Sequence, residues 1–287
     1  MAIVDSKRRI LGTLAGRPAD DPTWDDSGVD AYETLARARV KLRLSSGQVV
    51  HRRGNYPTIA TGISFGGGQT QPSPLALHGN DDVIQEIKAR PSVRRFAGFM
   101  NSTFAFGSPK HYKEYERNMQ DLLDHDPSLK LPYDNSIWAA TTFNFGPEVY
   151  TKIHVDSANY PCGWCSIVAL GDFNPKYGGQ LILHKARLII EFPPHSVINI
   201  LSAVFPHGNI SIGQHETRAS ITQYTAGGIF RWNAYGHRTE ARFEAEDPEG
   251  KAHMDRNRRQ RWRDAVNLFS IYDELGKDIQ DAFGIES

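Results

Sequence analysis

Between residues 136 and 224 the chain breaks into short β-rich runs separated by Gly, Pro and Asn: SIWAATTFNF, EVYTKIHV, CSIVAL, GQLILH, ARLIIEF, SVINIL and RASITQY. Seven or eight short strands at this spacing predict a sandwich or barrel, since each must pair with its neighbours to satisfy its backbone. The flanking texture differs. Val83, Ile84 and Ile87 share one helical face. Val93, Phe96, Ala97, Met100 and Phe104 recur at helical spacing after Pro91, and Tyr112, Tyr115, Met119 and Leu122 predict a helix ending before Pro127. Near the C-terminus, Trp262, Val266, Phe269 and Leu275 predict another buried stripe. Residues 54–80, rich in Gly, Pro, Ser and Thr, read as loop. Residues 17–30 read as a loose leader, with Asp30 capping a short helix that carries Tyr32 and Leu35. The expected fold is α+β, a β-barrel core with helices before and after it. Its parts are a leader and helix (1–50), one domain over 51–240 with helical support (80–125) and barrel core (136–235), and a C-terminal helical extension (241–287) packed on the core.

Composition narrows the function classes. Lysines and arginines number 33 against 33 aspartates and glutamates in 287 residues. That balance argues against indiscriminate nucleic-acid binding, whose strength scales with the phosphates neutralised, but it allows a local basic groove. No stretch approaches the ~20 apolar residues that span a bilayer, and MAIVDSKRRILGTLAG lacks the apolar run of a signal peptide. The expectation is an intracellular protein with no membrane contact, acting as a monomer. Cys162 and Cys165 are the only cysteines. They cannot make a disulfide framework, and zinc needs about four ligands, so both are expected to be core or near-site thiols.

The chemistry starts at Ile153-His154-Val155-Asp156, at the end of an apparent strand. A His and a carboxylate two residues apart project to one side of an extended chain. Alone, such a pair is common as a solvated turn. His207 lies 51 residues beyond Asp156, just after SVINIL, where a barrel brings strand ends together. Two such ligands plus a distant His make the 2-His-1-carboxylate triad of non-haem Fe(II) oxygenases, which leaves iron positions open for a co-substrate and dioxygen. Eleven residues on comes Arg218, then Ser220. An Arg there suits the distal carboxylate of 2-oxoglutarate, because its planar fork pairs bidentately and stays charged when buried; the competing reading is a structural ion pair with Glu191. His184 could face the same pocket as a co-substrate contact, whereas His195 and His215 read as surface histidines in turns. The run Gly66-Gly67-Gly68 lacks the residues of a P-loop and reads as a flexible or substrate-approach loop.

Several runs carry a family resemblance: GISFGGGQ, ATTFNFGP, HVDSANYPCGWCSIVALGDF, GGQLIL, IIEFPPHSVINILSA, HGN and RASITQYTAGGIFRW. From Arg52 to Trp232 the chain resembles the TET/JBP family of nucleic-acid-base dioxygenases, in particular its basidiomycete fungal members. The resemblance implies a double-stranded β-helix, of the jelly-roll or cupin-like kind, that uses Fe(II), 2-oxoglutarate and O2. It implies oxidation of the methyl group of 5-methylcytosine or thymine in DNA, giving hydroxymethyl and, with further rounds, formyl and carboxyl products. His154, Asp156 and His207 match the iron ligands, and Arg218 and Ser220 the 2-oxoglutarate contacts. Asn159 matches an asparagine that hydrogen-bonds the target cytosine, and Tyr224 an aromatic that stacks on it. Strand parity agrees, placing Arg218, Ser220, Thr222, Tyr224 and Ala226 on one face. At Ala226 the chain departs from animal members, which carry a base-contacting His there; Asn159, His184 or Gln223 are the candidates to compensate.

The partner this implies is methylated DNA, with a nuclear location following from the substrate. No protein partner can be inferred. Backbone contacts are expected from Arg52-Arg53, from Lys88, Arg90, Arg94 and Arg95, or from Arg256, Arg258, Arg259, Arg261 and Arg263. The alternatives are the same chemistry on N-methyladenine, RNA or another substrate, and a non-catalytic β-barrel binding module.

Overall fold

The structure is a computed structural model and describes residues 1–285. In chain order its strands are β1 (Ala2–Val4), β2 (Ile10–Gly16), β3 (Val50–His51), β4 (Gly54–Asn55), β5 (Thr58–Ser64), β6 (Ser73–Pro74), β7 (Ala140–Asn144), β8 (Cys165–Asp172), β9 (Leu181–Leu183), β10 (Leu188–Ile190), β11 (Val197–Ile200), β12 (His207–Asn209) and β13 (Thr217–Tyr224). The helices are α1 (Trp24–Arg39), α2 (Ser46–Val49), α3 (Asp81–Ala89), α4 (Pro91–Gly107), α5 (Pro109–His125), α6 (Gly227–Ala234), α7 (Glu240–Glu246), α8 (Pro248–Arg256), α9 (Arg258–Asn267) and α10 (Leu275–Phe283).

An eight-stranded antiparallel sheet, in the order β1-β2-β11-β8-β13-β7-β5-β6, packs against the three-stranded sheet β10-β9-β12. Period-two alternation decides what lies between them. On β8, Cys165, Ile167 and Ala169 meet Leu181, Leu183 and Phe192 inside, while Val168 and Leu170 turn outward to the helices. On β13, Ala219 and Ile221 also turn outward, which leaves Arg218, Ser220 and Thr222 facing the interior. The outer layer is α1, α3 and α4, whose Trp24, Ile84, Ile87, Phe96 and Met100 cover the sheet. Truncating a buried Phe96 to Ala would cost about 3–5 kcal/mol. The apolar stripes mark α3, α4 and α5 correctly, with Pro91 and Pro109 at first helical positions, where their missing N–H is harmless. This is the α+β, double-stranded β-helix architecture expected. No helix is long and apolar enough to cross a membrane.

Several local expectations fail. Within residues 17–30, α1 already begins at Trp24, whose buried indole donates to the His195 carbonyl at 2.8 Å. Asp25 and Asp26 favour the positive helix start. Asp30 lies inside that helix instead of capping it, and the Arg90 guanidinium, helped by Ser92, holds its carboxyl down to about 2. Before the helix, β2 fills the place between β1 and β11; its β11 partner lies far along the chain, so no local pattern marks it. The segment read as loop contains β5, whose buried Ile59, Thr61 and Ile63 alternate among small residues that mask the pattern. EVYTKIHV is an extended segment held by isolated bridges at Glu148 and His154. At the C-terminus Phe269 is buried, but Trp262 is 60% exposed, because α9 ends at Asn267 and the helical period does not continue.

Candidate metal centre and active site

Cross-strand stitching brings the three metal-ligating side chains together. His154 and His207 face each other across an antiparallel bridge, each amide donating to the other's carbonyl at 2.9 Å. The Asp156 amide donates to the Ser202 carbonyl at 3.0 Å. Gly208 is what lets the chain come so close: a Cβ there would sit 2.6 Å from the Thr151 oxygen and 3.0 Å from the Ile153 nitrogen. His154 Nε2 then lies 3.5 Å from Asp156 Oδ1, and His207 Nε2 3.7 Å from Asp156 Oδ2. Among the described residues, only these three His, Cys, Asp or Glu side chains converge as a group, with donor atoms within 4.8 Å of one another.

The surrounding hydrogen bonds prepare these atoms for a metal. His154 Nδ1 is 2.8 Å from the Lys152 carbonyl and His207 Nδ1 2.9 Å from the Phe205 carbonyl. A carbonyl only accepts, so each Nδ1 carries the proton and each Nε2 lone pair faces the gap. Burial pulls His207 below the usual imidazole value; Asp156 opposes this and His154 adds to it. Burial works to raise the Asp156 carboxyl, but His154, His207 and Arg53 outweigh it and leave it below the usual range. Two imidazole nitrogens and a carboxylate in this arrangement fit Fe(II) with open positions.

The inner end of the cleft holds Arg218, only 3% exposed. Burial pushes its guanidinium down to about 10. Its Nη1 donates to the Val149 carbonyl at 3.2 Å, Phe173 and Phe192 lie 5.8 Å from its carbon, and its Nε has no partner. Among the described residues no carboxylate pairs with it, and Glu191 is exposed, so the structural ion pair is absent. A buried cation with an unmet donor is costly unless an anion completes it. Ser220 stands beside it on the same face and accepts from Asn144 Nδ2 at 2.9 Å. The donor set fits the distal carboxylate of 2-oxoglutarate.

Asn159, three residues beyond Asp156, donates to Ser202 Oγ at 3.0 Å and pairs across a bridge with Ala226; neither it nor Tyr224 is among the residues that line the cleft. Tyr224 ends β13 half-buried, accepting from Thr142 Oγ1 at 3.4 Å. Arg52 and Arg53 form the turn between β3 and β4. Arg53 lines the cleft, and Arg52 Nη2 reaches within 3.6 Å of Asp156 Oδ1. Cys165 also lines the cleft, but burial pushes its thiol up to about 12, and Cys162 up to about 11, so neither is a thiolate at neutral pH.

Some site expectations are corrected. His184 sits exposed in the turn after β9 and does not line the cleft. Gln223 faces the opposite side of β13, accepting from Ser136 at 2.7 Å and donating to the Ala97 carbonyl at 3.0 Å, so neither residue replaces the missing histidine. Ala226 lies past the end of β13, as the cap of α6. His195 is buried, not on the surface; its Nδ1 meets Asp25 at 3.0 Å and its ring fills the space over Gly28. Arg90, Arg94 and Arg95 are each neutralised, by Asp30, Asp134 and Asp21. Sequence reasoning misses Tyr56, Asn144, Thr151 and Asn209, which also line the cleft; the only available signal is the parity of Asn144 with Thr142 in ATTFN. A larger groove of about 780 Å³ beside α1 shares no residue with the cleft.

No family model matches the chain, and no curated protein matches it. Among solved structures, NgTET1 in complex with 5mC DNA superposes with a TM-score of 0.50 at 13% identity, covering 70% of this chain and 69% of that one. A prolyl-4-hydroxylase from Pseudomonas putida matches with a TM-score of 0.38 at 13% identity, over 74% of this chain and 90% of that one. An oxidoreductase of the 2OG-Fe(II) oxygenase family from Burkholderia pseudomallei matches with a TM-score of 0.36 at 15% identity, over 74% and 94%. The chain shares its double-stranded β-helix fold with NgTET1 and carries a His154–Asp156–His207 cluster within it.

Proposed function

We propose that the protein is an Fe(II)- and 2-oxoglutarate-dependent dioxygenase that oxidises the methyl group of 5-methylcytosine in DNA. The observation that carries the chemistry is Arg218, a buried guanidinium with an unpartnered Nε, at the closed end of a cleft whose other end is the His154/Asp156/His207 cluster. A cation in that position calls for a dianion that can reach the metal ligands.

His154, Asp156 and His207 would hold Fe(II), which with 2-oxoglutarate activates dioxygen to attack a C–H bond. The chain's own part is positioning and exclusion. Arg218 and Ser220 take the distal carboxylate. Ile167, Leu181 and Phe192 wall the cleft against water. The Lys152 and Phe205 carbonyls keep both imidazoles in the ligating tautomer. The substrate reading rests on Tyr224 and Asn159 and on the likeness to a fold solved with 5mC DNA. A base within a duplex must be flipped out, costing a few kcal/mol. Tyr224 offers its ring for stacking, worth about 1–3 kcal/mol, and Asn159 offers amide groups to a base edge.

Incubation with Fe(II), 2-oxoglutarate and a methylcytosine duplex, read by mass spectrometry, tests the proposal. The expected result is hydroxymethylcytosine with matching succinate. Turnover on an N-methyladenine duplex with none on methylcytosine would replace the substrate, and no succinate from any substrate would remove the enzyme reading.

A further inference from the structure

The arginines of this chain fall into two kinds. Those on α4 and the turn before it are each bound to an aspartate. Those around α9, in the run RNRRQRWRD, are not. Arg256, Arg258, Arg259, Arg261 and Arg263 are all exposed, and among the described residues none forms an ion pair with a carboxylate. The nearby acids are already engaged: Asp255 binds Lys251 at 2.7 Å, and Asp264 accepts from Gln260 at 2.8 Å. Within this run the indole of Trp262 is 60% exposed. Neither α8 nor α9 has a buried residue. A helix this polar gains little from packing; apart from Arg261, which donates to the Met254 carbonyl, none of its arginines makes a side-chain hydrogen bond among the described residues.

The position of this face matters as much as its charge. Arg258, Arg261 and Trp262 form one wall of a groove of about 910 Å³. The groove is also lined by Tyr160, Pro161 and Cys162, which follow the metal ligand Asp156 by four to six residues. Tyr160 is fixed by stacking on Phe230, centroid to centroid 3.8 Å. On a different segment, Arg52 and Arg53 border the metal cleft. Positive charge thus stands on two segments, the β3–β4 turn at the cleft and α9 along the groove that Tyr160 also lines.

We infer that the α8–α9 arginine face is a docking surface for the sugar–phosphate backbone of duplex DNA, holding the strand beside the base presented to the metal cleft. This rests on the proposed DNA substrate. Charge complementarity selects the occupant: unpaired exposed guanidiniums interleaved with an aromatic suit phosphates and an unstacked base. Glu114, Asp121 and Asp264 also line the groove, but each already has a partner, Arg117, His237 and Gln260 respectively, which leaves the α9 guanidiniums in excess.

The test is binding of a short unmethylated DNA duplex by fluorescence anisotropy across a salt series, which requires no turnover. Arg258→Gln/Arg261→Gln/Arg263→Gln touches no buried residue and is expected to keep the circular-dichroism spectrum and melting temperature. Its affinity should fall roughly tenfold or more at low salt. Its log–log salt slope should shrink by about 2–3, near 0.9 for each phosphate no longer neutralised. Arg94→Gln, which removes a guanidinium already paired with Asp134, should leave both unchanged. Equal Kd and slope for the triple variant and wild type would overturn the docking surface while leaving methyl oxidation standing. The same triple variant losing affinity for duplex RNA but not duplex DNA would overturn the stated occupant. Intact duplex binding with no oxidised product would overturn only the substrate reading.

Discussion

The lining of the cleft is over-determined along its length: at the Arg218 end Arg218, Ser220 and Asn144 are buried and aromatic rings flank the guanidinium, and at the other end each triad residue is tied by its backbone to a neighbouring segment. Beyond that lining, around the end of β13 and the segment after Asp156, the side chains are partly exposed and make few hydrogen bonds. Tyr224 has one long hydrogen bond, Asn159 one to a serine hydroxyl, and Arg52 reaches across to a carboxylate that a metal would claim. Under the proposed function, the rigid lining carries the groups that the chemistry requires, and the loosely held residues are those assigned to choosing a substrate. Substitutions in the lining should therefore remove chemistry, and substitutions beyond it should re-rank substrates.

The largest effect belongs to the triad. His207→Ala should lower turnover by at least about 10³-fold, since one of three protein ligands is removed. Anaerobic addition of Fe(II) and 2-oxoglutarate should no longer give the weak visible charge-transfer band. Full activity in this variant would break the comparison in its rigid lining.

Arg218 comes next. Arg218→Met should raise the KM for 2-oxoglutarate by about 10²-fold, equivalent to about 2.7 kcal/mol for a charge-assisted, bidentate contact, and leave DNA affinity unchanged. It should also leave the unliganded protein at least as stable as wild type, because it removes a buried charge that lacks a partner. Thermal melts with and without 2-oxoglutarate measure both: the ligand-induced rise in Tm should shrink in the variant.

The two regions also differ in how far they can be read from sequence. Parity on RASITQY places Arg218, Ser220 and Thr222 in the cleft because side-chain alternation is a local property of a strand. The same parity fails at Ala226, where the strand has given way to the cap of a helix. Tyr56, Thr151 and Asn209 reach the cleft only through pairings between distant segments, and nothing local marks them. His184 and His195 mislead for a related reason: a turn in the sequence does not tell whether another helix covers it. Here α1 covers His195, and nothing covers His184. The helices are legible with their buried face where they carry a stripe, as in α4; at α9 the helix is foreseen but its burial is not, since the predicted Trp262 lies exposed.

Beyond the lining, Tyr224→Ala should cut kcat/KM on a methylcytosine duplex by about 5- to 100-fold, the kinetic equivalent of losing about 1–3 kcal/mol of stacking. The KM for 2-oxoglutarate should not change. Tyr224→Phe should cost little, since the hydroxyl makes only the 3.4 Å contact with Thr142. An equal loss in both variants would mean that the hydroxyl, and not the ring, serves the substrate.

The smallest effect sharpens the comparison from outside the cleft. His111, in the first turn of α5, is as buried as Arg218 and packs its ring against Phe269. Its Nδ1 lies 2.7 Å from Ser108 Oγ and its Nε2 has no partner. Burial, with a small addition from Lys110, pushes it down to about 3 from the usual 6.5. Unlike an arginine, it escapes the cost of burial by staying neutral. Between pH 6.5 and 3 the unfolded chain binds a proton that the folded chain refuses, so stability falls as pH falls through that window and is fully kept above it. From about pH 6.5 to about 5.5 this one group should remove about 1 kcal/mol. Urea midpoints for wild type and His111→Phe should therefore diverge as the solution is acidified, with the variant losing less. Parallel curves would mean that burial does not shift His111 and that it takes up its proton equally in the folded and unfolded chain; a wild type that gains on the variant as the solution is acidified would mean that it is held as a cation, like Arg218.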